Sequence, residues 1–329
     1  MLRCGVAARR CESADDASSL VSVTTARAAT SRLPTLLERL SRLSTARGFD
    51  AYRDVDWGDP ELAIDPTDPR LVLVDDDPLA TTAWYRSLDE VEQARIGLLR
   101  VAASFRTGWH FENLLQQGLL HRALHLPNEG PEFRYIHHEL IEESQHTLMF
   151  EEFVRRTGLR VRGMPGWLRR FTETLIRLLS RHSPVVFFAM VLGGEEPLDL
   201  LQRRALASGR VHPLVERIMG IHVAEEARHI SFARAAIEHE AERLHPARRR
   251  TVAFFTPLVL GIMVRLMLRP THDLVEGGVP REVVRELYRS EPGRRHLVDA
   301  VARIRALMVD LDLVTPSARF MWRRFGLWD

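Results

Sequence analysis

From about residue 87 onward, apolar residues recur at three- and four-residue spacing, the period of helices packed on one face. Strand-like alternation is absent. The pattern predicts helices over 87–125, 131–156, 167–180, 184–207 and 212–244, then a strongly apolar one over 251–268. Two or three shorter helices follow, with breaks at Gly277-Gly278 and near Thr315-Pro316. Punctuation supports the boundaries. Ser87-Leu-Asp-Glu90 reads as a capping box, with Ser87 as the cap. Ser183-Pro184 and His212-Pro213 place proline at a first helical position. Leu126-Pro127-Asn128-Glu129-Gly130 and Leu244-His245-Pro246 are stops. The expected class is all-α, with a single helical domain over 46–329.

Ahead of it, residues 1–45 are rich in Ala, Ser, Thr and Arg and show little periodicity. They read as a flexible extension in which 36–43 forms a short helix. They hold no continuous apolar run of the secretory kind, and Glu12, Asp15 and Asp16 argue against a transit peptide. From Phe49 to Pro78, four Asp-Pro pairs mark turns in a lead-in that wraps the domain.

Composition changes this picture little. Net charge is +2 over 329 residues, which gives no nucleic-acid or membrane footprint. The apolar run over 251–268 is short for a membrane span and is interrupted by Pro257 and Arg265, so it reads as a buried helix. The basic residues are all Arg, a compositional bias. Cys4 and Cys11 are the only cysteines, which fits a reducing cytoplasm better than a disulfide framework.

The chemistry is concentrated in four of the predicted helices. In His222-Val-Ala-Glu-Glu-Ala-Arg-His229, positions 222, 226 and 229 share a narrow arc of one helix face, at about 100° per residue. Imidazole, carboxylate and imidazole on one face form a metal-ligand arrangement. Glu143-Ser-Gln-His146 and Glu226-Ala-Arg-His229 are two Glu-x-x-His pairs. A ferritin-like di-metal bundle uses two such pairs plus one Glu from each of two other helices. Glu112 is the candidate in the helix before Glu143, and Glu195 or Glu196 in the helix before His222. Each follows or interrupts an apolar face, where an unpartnered charge is costly. Four carboxylates and neutral imidazoles balance two divalent ions. Mixed nitrogen and oxygen ligation points to two iron ions, Fe2+ or Fe3+, with manganese as the alternative.

The third imidazole sharpens the reading. With Phe111-Glu112-Asn113-Leu114-Leu115, Ile141-Glu142-Glu143-Ser144-Gln145-His146-Thr147, Glu195 with Leu198-Asp199-Leu200-Leu201, and 222–229, the chain resembles the p-aminobenzoate N-oxygenases. These are di-iron arylamine oxygenases. The resemblance implies the metal ligands Glu112, Glu143, His146, Glu195, His222, Glu226 and His229. It implies a ferritin-like di-metal helical bundle with extra peripheral helices, commonly a homodimer. It implies an N-oxygenase that takes an amine toward hydroxylamine, nitroso or nitro, using a small-molecule substrate, O2 and an electron donor that the sequence does not identify. The buried face and the spacing to His222 favour Glu195 over Glu196. Glu139 reads as a supporting residue, and His110, His121, His137 and His138 as ordinary helix residues.

One departure bears on the substrate. The resembled enzymes hold the substrate carboxylate with Tyr and Arg in the two turns before the first Glu. Ser104 and Thr107 stand in those places here, and Arg106 is one residue out of phase. The expected substrate is therefore an amine other than p-aminobenzoate. The competing enzyme reading is a hydroxylase or desaturase acting on carbon, and the non-enzyme reading is a ferritin-like iron-binding protein.

Overall fold

The computed structural model describes residues 32–329. The expectations for 1–31, including both cysteines, lie outside the described residues. Among the described residues there is no strand. A helix spans 32–46 (α1), longer than the 36–43 expected. Leu33, Leu37 and Leu40, spaced to share one face, are buried in the same core as Phe111 and Phe188. The part of the supposed extension from residue 32 onward thus packs with the domain.

All four Asp-Pro turns form by one device. The carboxylates of Asp59, Asp65, Asp68 and Asp77 each accept from the backbone N–H two residues on, at 2.8–2.9 Å. Proline fixes the intervening φ, and the short carboxylate replaces a backbone acceptor. Two of these turns continue as 3-10 turns, Pro60–Leu62 and Pro69–Leu71.

The helices follow in order: α2 (Ala83–Ser87), α3 (Glu90–Ala123), α4 (Pro131–Thr157), α5 (Gly166–His182), α6 (Pro184–Ser208), α7 (Pro213–Glu242) and α8 (Pro246–Leu268). The cap of α3 is displaced by two residues from the one expected. Ser87 ends α2, and its hydroxyl donates to the Trp84 carbonyl. Leu88 is extended, so the chain restarts one residue later. Asp89 is the cap of α3, accepting from the Glu92 N–H at 2.8 Å. After α8 come five short helices where two or three were expected: α9 (Thr271–Glu276), α10 (Arg281–Arg289), α11 (Glu291–Ala300), α12 (Ala302–Asp310) and α13 (Pro316–Arg324). Elements of six to ten residues complete too few turns for periodicity to separate them.

At 23 residues, α8 is longer than the apolar run suggested. By length and composition, the segment Pro246–Glu276 is able to cross a membrane. More than half of its most apolar window is buried inside the protein, with Leu260 and Val264 in the core, which is where a bundle's central helix belongs.

α3 packs against α4, and α6 against α7. The apolar interior divides into two clusters. One holds Phe105, Met149, Phe150, Phe153 and the Leu214–Ile221 side of α7. The other holds Phe111, Tyr135, Ile136, the apolar run of α6 and Phe232 to Ala241. α4 and α7 each cross from one cluster to the other, and each crosses with a polar stretch, 139–146 and 222–229. The candidate site occupies that boundary.

Candidate metal centre

Glu112, Glu143, His146, Glu195, His222, Glu226 and His229 all converge in the boundary layer, each essentially without solvent contact. Their donor atoms fall into overlapping groups: Glu112, His146, His222 and Glu226; Glu143, His146, Glu226 and His229; and Glu112, Glu143 and Glu195. Within each group the ligand atoms lie within 4.8 Å of one another. His146 Nδ1 is 3.2 Å from Glu143 Oε2 and 3.4 Å from Glu226 Oε1. His229 Nδ1 is 3.0 Å from Glu143 Oε1 and 3.3 Å from Glu226 Oε1. Glu143 and Glu226 therefore stand between both imidazoles. His222 points Nε2 at Glu112 and Glu226, 3.6 Å from an oxygen of each. Two donors bound side by side to one cation at roughly 2.1 Å lie about 3 Å apart, so these separations suit metal ligation.

The electrostatics describe charge waiting for a counter-charge. Burial pushes the Glu112 carboxyl well above its ordinary range, and neighbouring Glu143 adds to the push. Burial and then Glu226 do the same to Glu195. Against burial, the His229 imidazolium holds Glu143 down at about 2. His229 and His222 hold Glu226 well below its usual value, again against burial. Against burial, their carboxylate partners push His146 and His229 well above the ordinary imidazole range. Burial brings His222 down to about 4. Both oxygens of Glu112, Oε1 of Glu195, Oε2 of Glu226 and both nitrogens of His222 find no hydrogen-bond partner. Unpaired lone pairs converging from α3, α6 and α7 in a dry space are costly unless a cation collects them. The donor set fits divalent metal ions.

Two residues that the sequence reading passed over complete the centre. His146 Nε2 donates to Glu225 Oε2 at 3.0 Å, and His229 Nε2 donates to Glu142 Oε2 at 2.8 Å. Each carboxylate comes from the opposite helix. A carboxylate only accepts, so Nε2 carries the proton and Nδ1 is turned inward in a fixed orientation. Arg228 ties the two together, donating to Glu142 at 2.8 Å and to Glu225 at 3.2 Å. The lead-in seals this layer: the Phe49 N–H donates to Glu225 and the Ala51 N–H to Gln145. The signal was present in the sequence as a doublet, Glu142-Glu143-x-x-His146 and Glu225-Glu226-x-x-His229. The first Glu of each doublet holds the other helix's imidazole.

The rivals are placed as well. Glu196 is buried and accepts from Arg234 Nε at 2.8 Å, away from the cluster and not at the surface. Glu139 is buried one turn before Glu143, the place that His222 holds relative to Glu226. Burial pushes its carboxyl well up, and no metal-type group includes it. His110 accepts from the Met164 N–H at 3.1 Å, and His121 bonds Ser180.

The family model described as p-aminobenzoate N-oxygenase AurF matches residues 31–312. Uncharacterized proteins of two Mycobacterium tuberculosis strains are 41% and 40% identical to this chain over 291 residues. One from Mycobacterium bovis is 40% identical, and each match covers 88% of this chain and 85% of the relative.

Proposed function

Because the chain belongs to the p-aminobenzoate N-oxygenase family, we propose that it is an oxygen-activating di-iron N-oxygenase that works on a small amine. In this reading Glu112, Glu143, His146, Glu195, His222, Glu226 and His229 hold two iron ions. The observation that carries it is the third imidazole, His222, packed against Glu112 and Glu226 in the same buried layer as the two Glu-x-x-His pairs. Iron held by these residues would supply redox chemistry and open positions for dioxygen. One oxygen atom goes to the amine nitrogen and the other leaves as water, with two electrons and two protons from a donor for each oxygen inserted.

The protein's own residues prepare that chemistry. Glu142 and Glu225 fix the imidazole orientations, Arg228 offsets their charge, and the two apolar clusters keep bulk water out. We place the enzyme in a reducing cytoplasm and read it as a homodimer. Trp167, Phe171 and Leu178, exposed on α5, support a paired state.

Protein produced with ample iron is expected to hold about two metal ions per chain by elemental analysis. After reduction and exposure to oxygen, a panel of aryl and alkyl amines should yield nitrogen-oxidised products by mass spectrometry, with the added oxygen derived from O2. Conversion only of hydrocarbons or thioesters would overturn the nitrogen chemistry.

His222→Ala is expected to fold, because it trims a buried side chain that has no hydrogen-bond partner. It should lower affinity for one of the two metals by at least about tenfold, judging from how strongly even supporting residues act. Titration with Fe2+ that still shows two equally tight sites would show His222 to be a bystander.

A further inference from the structure

The structure contains an apolar cavity of about 130 Å³ whose lining includes Ser104, Phe105, Leu198, Gln202 and Met219. Its place in the fold ties it to the metal centre. Ser104 and Phe105 lie two turns before Glu112 on α3, Leu198 one turn after Glu195 on α6, and Met219 one turn before His222 on α7. At 1.5 Å of rise per residue these offsets are roughly 5 to 12 Å. The Phe105 ring stacks on Phe150 at 4.7 Å, and Phe150 packs on the His222 ring at 5.2 Å. A cavity of about 150 Å³ holds one benzene ring, so this one is on the scale of a single aromatic ring.

The polar groups on its wall are selective. Every guanidinium there is already matched to a carboxylate: Arg70 to Asp68, Arg100 to Asp77 and Arg210 to Asp75. Thr107 lies outside this wall and donates its hydroxyl to the Ala103 carbonyl. Three wall residues keep unpartnered atoms: His212 and His296 at Nε2 alone, and Gln202 at both ends of its amide. Gln202 lies two turns after Glu195 on the same face of α6, is 1% exposed, and has no hydrogen-bond partner for either Oε1 or Nε2. A buried primary amide with both ends unpaired is costly, and a ligand that supplies one donor and one acceptor side by side removes the cost.

We propose that this cavity is the substrate chamber and that Gln202 makes it specific for a one-ring amine bearing an uncharged carboxamide-type group. The inference rests on the N-oxygenase reading above. A primary carboxamide closes two hydrogen bonds with the Gln202 side chain. A carboxylate matches only Nε2 and meets Oε1 with like partial charge, in a wall whose guanidiniums are all matched and whose His212 and His296 are held by burial below the ordinary imidazole range. Gln202 is a specificity residue and holds no metal.

Calorimetric titration of the iron-loaded protein without reductant reads binding apart from turnover. p-Aminobenzamide is expected to bind at least tenfold more tightly than either p-aminobenzoate or aniline. Gln202→Leu should erase that preference while leaving thermal stability and iron content equal or higher, since it removes an unsatisfied amide. Gln202→Glu should weaken the benzamide and leave the benzoate weak. Undetectable binding of the benzamide, a benzoate that binds as well, or a preference that survives in Gln202→Leu overturns the assignment. If the benzamide binds as expected but reduced, oxygenated enzyme never oxidises its nitrogen, the N-oxygenase reading fails while the chamber's specificity stands.

Discussion

Glu226→Ala is expected to reduce bound iron from about two ions per chain to well under one and to remove oxygenase activity. Glu226 belongs to both of the imidazole-containing donor groups, with His146 and His222 in one and His146 and His229 in the other. Its carboxylate lies 3.3–3.6 Å from the three imidazoles. Removing it would take a donor atom from each of these groups and a negative charge from the four carboxylates proposed to balance two divalent ions. Supporting residues around metals commonly cost about 10–100-fold in affinity, and a shared direct ligand should exceed that. Glu196→Ala is the matched control, because Glu196 is equally buried but bonds Arg234 outside the cluster. Elemental analysis of the two purified variants decides the matter. Full metal content in Glu226→Ala, or equal loss in both, would contradict the ligand assignment.

The second large effect is expected from a residue with no functional group. Gly194→Ala places a methyl group inside the Phe111 ring, which is buried on the facing helix. Gly194 immediately precedes Glu195, and Phe111 immediately precedes Glu112. The close approach of α6 to α3 at this point is what brings those two carboxylates together. In an isolated helix the change from glycine to alanine would help by up to about 1 kcal/mol. Here overpacking should cost about 1–3 kcal/mol beyond that gain, because the ring is enclosed on every side. A melting temperature several degrees lower, together with weaker iron binding, is the expected result. Unchanged melting and full iron loading would show that the two helices separate freely and that their spacing does not set the site.

The long helices α3 to α8 were legible in number and order because the apolar period is sustained for many turns in each, whereas the five residues of α2 are too few to show one. The Glu-x-x-His pairs were legible because three-residue spacing alone fixes a shared helix face, whatever the helix packs against. For the same reason His222 was recognisable from its spacing to Glu226 and His229. The choice of Glu195 over Glu196 was open to an argument from its apolar neighbours, and Glu196 turns to Arg234. Local signals were weaker where several candidates compete for one role. Ser87 and Asp89 both head a cap-like pattern, and the extended Leu88 between them assigned the cap to Asp89.

What the tertiary structure alone decided is everything that depends on which helix faces which. The roles of Glu142 and Glu225 are invisible along either helix, since each serves an imidazole on the other. Glu112 and Glu143 meet only because α3 packs on α4, and Glu195 joins them only because α6 carries glycine opposite Phe111. The cavity beside Gln202 has walls from the lead-in, α3, α6, α7 and α11, which no local pattern links. Helical spacing is set by backbone geometry within one segment, so the sequence by itself determined the long helices and the donor-bearing faces. Pairing across helices is set by side-chain volume and buried charge at contacts distant in sequence, so the assembled donor cluster and the cavity beside Gln202 were decided by the packed fold.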